Sequence, residues 1–115
     1  MHGRTVDEIT AEALLTEFEP SQVYHDDAPE HGSYPLVCYT DLTSTPALHA
    51  DDKLYGIEYI IRVTIITAGN AGINELVNRV RSCMVSAGFM WQSTNKVRDG
   101  KEFYTSIDFS RGEKV

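Results

Sequence analysis

The sequence is short of the groups on which most enzyme chemistry depends. It carries two cysteines, Cys38 and Cys83, far apart in the chain and outside any Cys-x-x-Cys or zinc-ligand spacing. Both are expected to be reduced and buried rather than joined in a disulfide. No serine stands in a Gly-x-Ser-x-Gly turn, and neither phosphate-cradling glycine pattern is present. The four histidines, His2, His25, His31 and His49, fall at the terminus or in predicted loops. Without a nucleophile beside a base or a carboxylate pair on a rigid element, neither an enzyme nor a cofactor is expected. Positive charge is scarce as well: 10 Lys and Arg stand against 17 Asp and Glu, a net charge of −7. That balance speaks against specific binding to a nucleic-acid backbone, where basic residues must dominate locally. No apolar run approaches the roughly 18–20 residues of a membrane span, so no membrane partner is expected. The N-terminus has no apolar signal-peptide core, and nothing points to secretion.

What is present is ordinary for a soluble globular protein: 115 residues, 42% hydrophobic and 23% charged. Residues 1–115 are expected to form a single domain with one modest core. Its centre is the stretch from Tyr55 to Thr67. Taken in twos, Tyr55, Ile57, Tyr59, Ile61, Val63 and Ile65 form one apolar set. Gly56, Glu58, Ile60, Arg62, Thr64 and Ile66 form a mixed one. Alternation at period two in β-branched and aromatic residues predicts a half-buried strand. Ile60 and Ile66 on the mixed face point to partial cover by another element or another subunit.

Around this strand the punctuation is legible. Thr5-Val6-Asp7-Glu8 has the form of a capping box and predicts a helix over about residues 6–18, ended before Pro20. Residues 19–34 read as irregular, and Pro35–Thr40 as a short strand. Asp41–Lys53 reads as a polar loop. After the central strand, Ala68–Gly72 marks a turn with Asn70 as a candidate N-cap. Ile73, Leu76, Val77, Val80, Met84 and Ala87 then recur at helical spacing, predicting a helix over 73–87 closed by Gly88. Phe89–Ser93 and Lys101–Ser110 read as a hairpin with a long tip over 94–100, and residues 111–115 as a frayed tail. The expected fold is therefore a two-layer α+β domain. About four mostly antiparallel strands carry the main helix on one face, with an N-terminal helix besides. Such a sheet has edges that invite pairing with another chain.

Candidate sites are few. His25, Asp26, Glu30 and His31 could be imagined as metal ligands, and His49, Asp51 and Asp52 as a catalytic or metal cluster. No helical or hairpin spacing aims either set at one point, so solvated loops are the simpler reading. Glu58 and Arg62 share one face of the central strand and suit an inter-strand or inter-subunit ion pair. An RNA-binding sheet would need stacking aromatics with basic flanks, but Tyr55, Tyr59, Phe103 and Phe109 fall on the faces assigned to the core.

The order of certain pieces is familiar. After the opening helix comes the strand Tyr34-Pro35-Leu36-Val37-Cys38-Tyr39, then Ala50-Asp51-Asp52-Lys53-Leu54-Tyr55 leading into the long alternating strand. A helix from Ile73-Asn74-Glu75-Leu76 through Met84 ends in Ala87-Gly88-Phe89, and the closing strand contains Phe103-Tyr104. Over most of residues 5–110 this resembles the small tail-completion proteins of long-tailed bacteriophages, the tail terminator and head–tail joining group. The resemblance implies an α+β subunit of the virion, assembled in the host cytoplasm, without an active site. It implies a self-assembled ring, commonly a hexamer, that meets the tail-tube protein and the head connector. On that reading Glu58, Ile60, Arg62 and Ile66 are expected at the oligomer interface, and the carboxylates Asp41, Asp51 and Asp52 along a DNA channel or against partners. Two rivals stand beside it: a small-molecule-binding or regulatory ferredoxin-like domain, and another tail-tube or connector subunit.

Overall fold

Strand length sets the shape of this molecule. The computed structural model describes residues 5–27, 34–48, 54–70 and 72–114. In chain order it holds α1 (Val6–Leu15), a 3-10 turn (Pro20–Gln22), β1 (Val23–His25), β2 (Leu36–Leu48), β3 (Leu54–Thr67), α2 (Ile73–Ser86), β4 (Met90–Asp99) and β5 (Glu102–Lys114). The sheet has five strands in the order β1-β2-β3-β5-β4. Every pairing is antiparallel except the short parallel one between β1 and β2. The fold is α+β, with both helices packed on one side of the sheet.

Four sequence expectations change. Asp41–Leu48 is not a loop: it continues β2, whose register with β3 shifts twice, between Asp41 and Thr43 and between Ala47 and Leu48. The long tip at 94–100 is likewise strand, because Asp99 pairs with Glu102 across a two-residue turn. Gly100, at φ 63°, fills the first central position of that turn, where a side chain would be strained. Residues 111–114 extend β5 as far as a Lys114–Gly56 pair rather than fraying. The segment 19–34 contributes the 3-10 turn and the fifth strand. The Tyr34–Pro35 peptide bond that leads into β2 is cis.

The helices follow their sequence signals with small adjustments. Thr5 caps α1 by accepting a hydrogen bond from the Glu8 amide at 3.2 Å, and its hydroxyl donates to Glu8 Oε1. Val6, Ala13 and Leu14 are buried on the inner stripe. Thr10 joins them, donating to the Val6 carbonyl at 2.7 Å. Gly72, at φ 77°, takes the N-cap position of α2 in place of Asn70. Arg79 of α2 donates to the Glu17 carbonyl and lies over the Phe18 ring, which ties α2 to the segment that follows α1.

The core lies between the helices and the sheet. Leu14, Val80 and Met84 meet Val37, Ile61, Val63, Ile65, Ile107 and Phe109, all fully buried. Cys83 belongs to this side, whereas Cys38 is buried on the opposite face with Leu36 and Ile66. The sheet therefore separates the two thiols. At about 3.4 Å per residue, the 14 residues of β3 span roughly 45 Å. At about 1.5 Å per residue, the 10 of α1 and 14 of α2 span only about 15 and 21 Å. The helices cannot cover the whole strand, and the molecule measures 51 × 28 × 23 Å.

Candidate assembly surface

The face of the sheet away from the helices is open. Arg62 projects from it and donates from Nε and Nη2 to the two carboxylate oxygens of Asp108 on β5, at 2.8 and 3.1 Å. Beside it Thr64 and Ser106 approach to 3.2 Å. Further along, Leu36, Cys38 and Ile66 form a small buried cluster flanked by Tyr24 and Tyr104. Tyr34 and Tyr104 both donate to Glu102, at 2.6 and 3.1 Å, which holds their phenols above the ordinary tyrosine range. Leu36, Cys38, Arg62, Thr64, Ile66 and Tyr104 line a shallow basin of about 530 Å³ whose acidic members are Asp26, Asp27 and Glu102. Its one arginine, Arg62, is already neutralised by Asp108, so the basin repels rather than holds phosphate.

The β1–β2 margin of the sheet is acidic, and residues 5–27 and 34–48 contain no lysine or arginine. His25 stacks on Tyr39 with ring centroids 4.9 Å apart. Its Nε2 lies 3.6 Å from both Asp7 and Asp26. Asp41 stands beside Asp7. Desolvation first, then hydrogen bonding and repulsion from Asp7, push its carboxyl up to about 6, against a smaller opposing pull from His25. Among the described residues no group of three or more His, Cys, Asp or Glu side chains is placed to hold a metal ion.

The opposite margin, β4, is exposed at every residue. Met90, Trp91 and Val97 are 65%, 45% and 54% exposed, which gives β4 three of the exposed large apolar side chains among the described residues. It also carries positive charge. Arg98 lies over Phe103, Arg81 of α2 lies over Trp91, and Lys96 is exposed between them. Cys83 is the wrong group for thiol chemistry: burial pushes it up to about 11, and its Sγ donates to the Val80 carbonyl.

No family model matches the chain, and no curated protein does. Solved structures do. The fold is similar to that of a chain in the structure titled "Virion of native gene transfer agent (GTA) particle", with a TM-score of 0.59 and 12% identity. The likeness covers 96% of this chain and 95% of that one. At this identity it shows a shared fold, end to end.

Of the residues singled out from sequence, Arg62 and Ile66 lie on the open face, engaged by Asp108 and by Leu36 and Tyr104 respectively. Glu58 and Ile60 lie further along β3, beyond the helices, Glu58 exposed and Ile60 half-buried. Asp41 is a strand residue, not a loop residue. Asp51, Asp52, His49, Glu30 and His31 lie outside the described residues. Sequence reasoning missed the exposed β4 edge. The apolar Met90-Trp91 pair and Val97 were its only signal there.

Proposed function

We propose that this chain is a structural virion subunit that closes into a ring, completing a phage-like tail or the head–tail junction. The observation that carries this reading is the fold shared over nearly the whole of both chains with a chain from the gene transfer agent virion. The exposed strand edges agree with it, since they need partners. So does the acidic balance, because a passage for DNA must repel phosphate. In this reading the ring is a hexamer that meets a tail-tube protein on one side and a head connector on the other. It forms in the host cytoplasm, persists in the virion and performs no catalysis. Glu58 and Ile60, beyond the helices, gain their cover from a neighbouring subunit. Arg62 and Ile66, already engaged, contribute less. Asp51 and Asp52 rim the channel.

Light scattering after gel filtration over a range of concentrations tests this. A discrete species near six subunits, seen as a ring by electron microscopy and binding the ends of isolated tail tubes, is the expected result. A species that remains monomeric and ignores tail tubes overturns it. The 530 Å³ basin supports one rival, a small-molecule site. The order of elements, with β1 parallel to β2 and three further antiparallel strands, departs from the ferredoxin-like β-α-β-β-α-β pattern. Melting-temperature shifts with a metabolite panel would favour that rival.

A further inference from the structure

We propose that subunits join edge to edge, β4 of one copy adding antiparallel to the uncovered part of β2 of the next, so that one sheet runs from copy to copy. This rests on the ring reading and names its contact. Among the described residues both edges are open. β4 is the last strand of the sheet, and β1 covers β2 only at Val37–Tyr39 although β2 runs to Leu48. The directions match. β2 with β3, β3 with β5 and β5 with β4 are each antiparallel, so β4 runs opposite to β2. Two copies in the same orientation therefore present an antiparallel pair, with no inversion between neighbours. Such a contact is heterologous, the kind that closes rings.

The side chains match as well. On β4, Lys96 and Arg98 pair across to Thr105 and Phe103 and so share the helix-covered side, while Val97 pairs with Tyr104 on the open side. On β2, Asp41 pairs with Ile61 and so lies on the helix-covered side, with Asp7 next to it. Its neighbour Leu42, 41% exposed, lines the basin on the open side. Setting Val97 against Leu42 places apolar on apolar on one face. The same register sets Arg98 against Asp41 on the other. At these two positions, just before the register shift of β2, the acidic margin and the basic edge are thus complementary in charge, in direction and in face. A second copy of this chain is the partner that fits.

The test uses the full chain and two charge reversals at exposed sites, Arg98→Glu and Asp41→Arg, each checked for an unchanged circular dichroism spectrum. Each variant alone should associate at least tenfold more weakly than wild type. Mixed in equal amounts they should recover association, because each keeps the edge that the other lacks. A second measurement is independent of charge. On mild oxidation, L42C mixed with V97C should give a disulfide-linked dimer of one of each, while neither forms homodimers. Rings that persist in both charge variants and yield no mixed disulfide would overturn the edge contact and leave the ring standing. A wild-type chain that stays monomeric at every concentration and gives no mixed disulfide would overturn the ring reading and the contact together.

Discussion

The two halves of β3 carry the same alternation and meet different fates. In the inner half, Ile61, Val63 and Ile65 are fully buried beneath the helices. In the outer half, Ile57 and Tyr59 occupy the same face yet remain half-exposed, and Glu58 stands in solvent on the other. Both halves are paired on both sides, to β2 and to β5, although the two register shifts of the β2 ladder fall along the outer half. Hydrogen bonding therefore does not distinguish them; helix cover does. The inner half is the core of the folded chain, and the outer half lacks that cover.

Substitutions can break this contrast or sharpen it. The largest effect is expected from Val63→Asp, which buries a carboxylate at the centre of the covered half. That costs several kcal/mol against a total stability of about 5–15 kcal/mol. Loss of the cooperative unfolding transition in circular dichroism is the expected readout. Leu14→Ala, on the helix facing that half, leaves a cavity worth about 2–5 kcal/mol and should lower the urea midpoint with no change in the slope. Thr5→Ala removes the cap of α1 and should cost about 1 kcal/mol by the same assay. In the outer half Ile57→Ala should cost about 1 kcal/mol or less in the monomer. If it matched Leu14→Ala, the contrast between the halves would be wrong. On the open face the Arg62–Asp108 pair is part-exposed, the Arg62 side chain 45% so, and Arg62→Ala should cost no more than about 1 kcal/mol, falling with salt.

The smallest effect depends on pH. Asp41 holds its proton up to about 6 in the folded chain, against an ordinary value of 3.8. Between those values the folded state binds the proton more tightly than the unfolded one. The stability it adds is complete below 3.8 and is lost as pH rises through about 6. Asp41→Asn should remove that slope, so the melting temperature of the variant relative to wild type should rise between pH 4 and pH 7. A parallel pair of curves would show that burial and Asp7 together do not raise the Asp41 carboxyl.

What could be read from the sequence followed one-sided burial. β3, β5 and α2 each press one face into the core, so Ile61-Val63-Ile65, Thr105-Ile107-Phe109 and Ile73-Val80-Met84 print their period on the chain. In the outer part of β2, Thr43, Ser44 and Thr45 are all exposed, and Pro46 reads as a breaker in the sequence. It is a strand because β3 lies alongside, a tertiary cause with no local trace. Thr94–Asp99 of β4 is silent for the same reason. The second cluster was visible in principle, since Leu36-Val37-Cys38-Tyr39 is apolar without alternation, the mark of a strand covered on both faces. Its partners Tyr24 and Tyr104 come from distant segments, and only the fold brings them there.

The position of β5 between β3 and β4 also sets the order in which the molecule can be made. β2 reaches β3 through a local connection, but β5 reaches β3 only across α2 and β4. Ile107 and Phe109, which complete the core, therefore follow every other residue of that core cluster in the chain. Until they arrive, β3 has one bare edge and the helices have no complete floor to settle on. The entropy of closing that long connection is met before the burial that offsets it, so refolding should fall in the slow, millisecond-to-second range of β-rich domains. A nascent chain halted before residue 107 should accordingly remain open to protease, and one released past 110 should close.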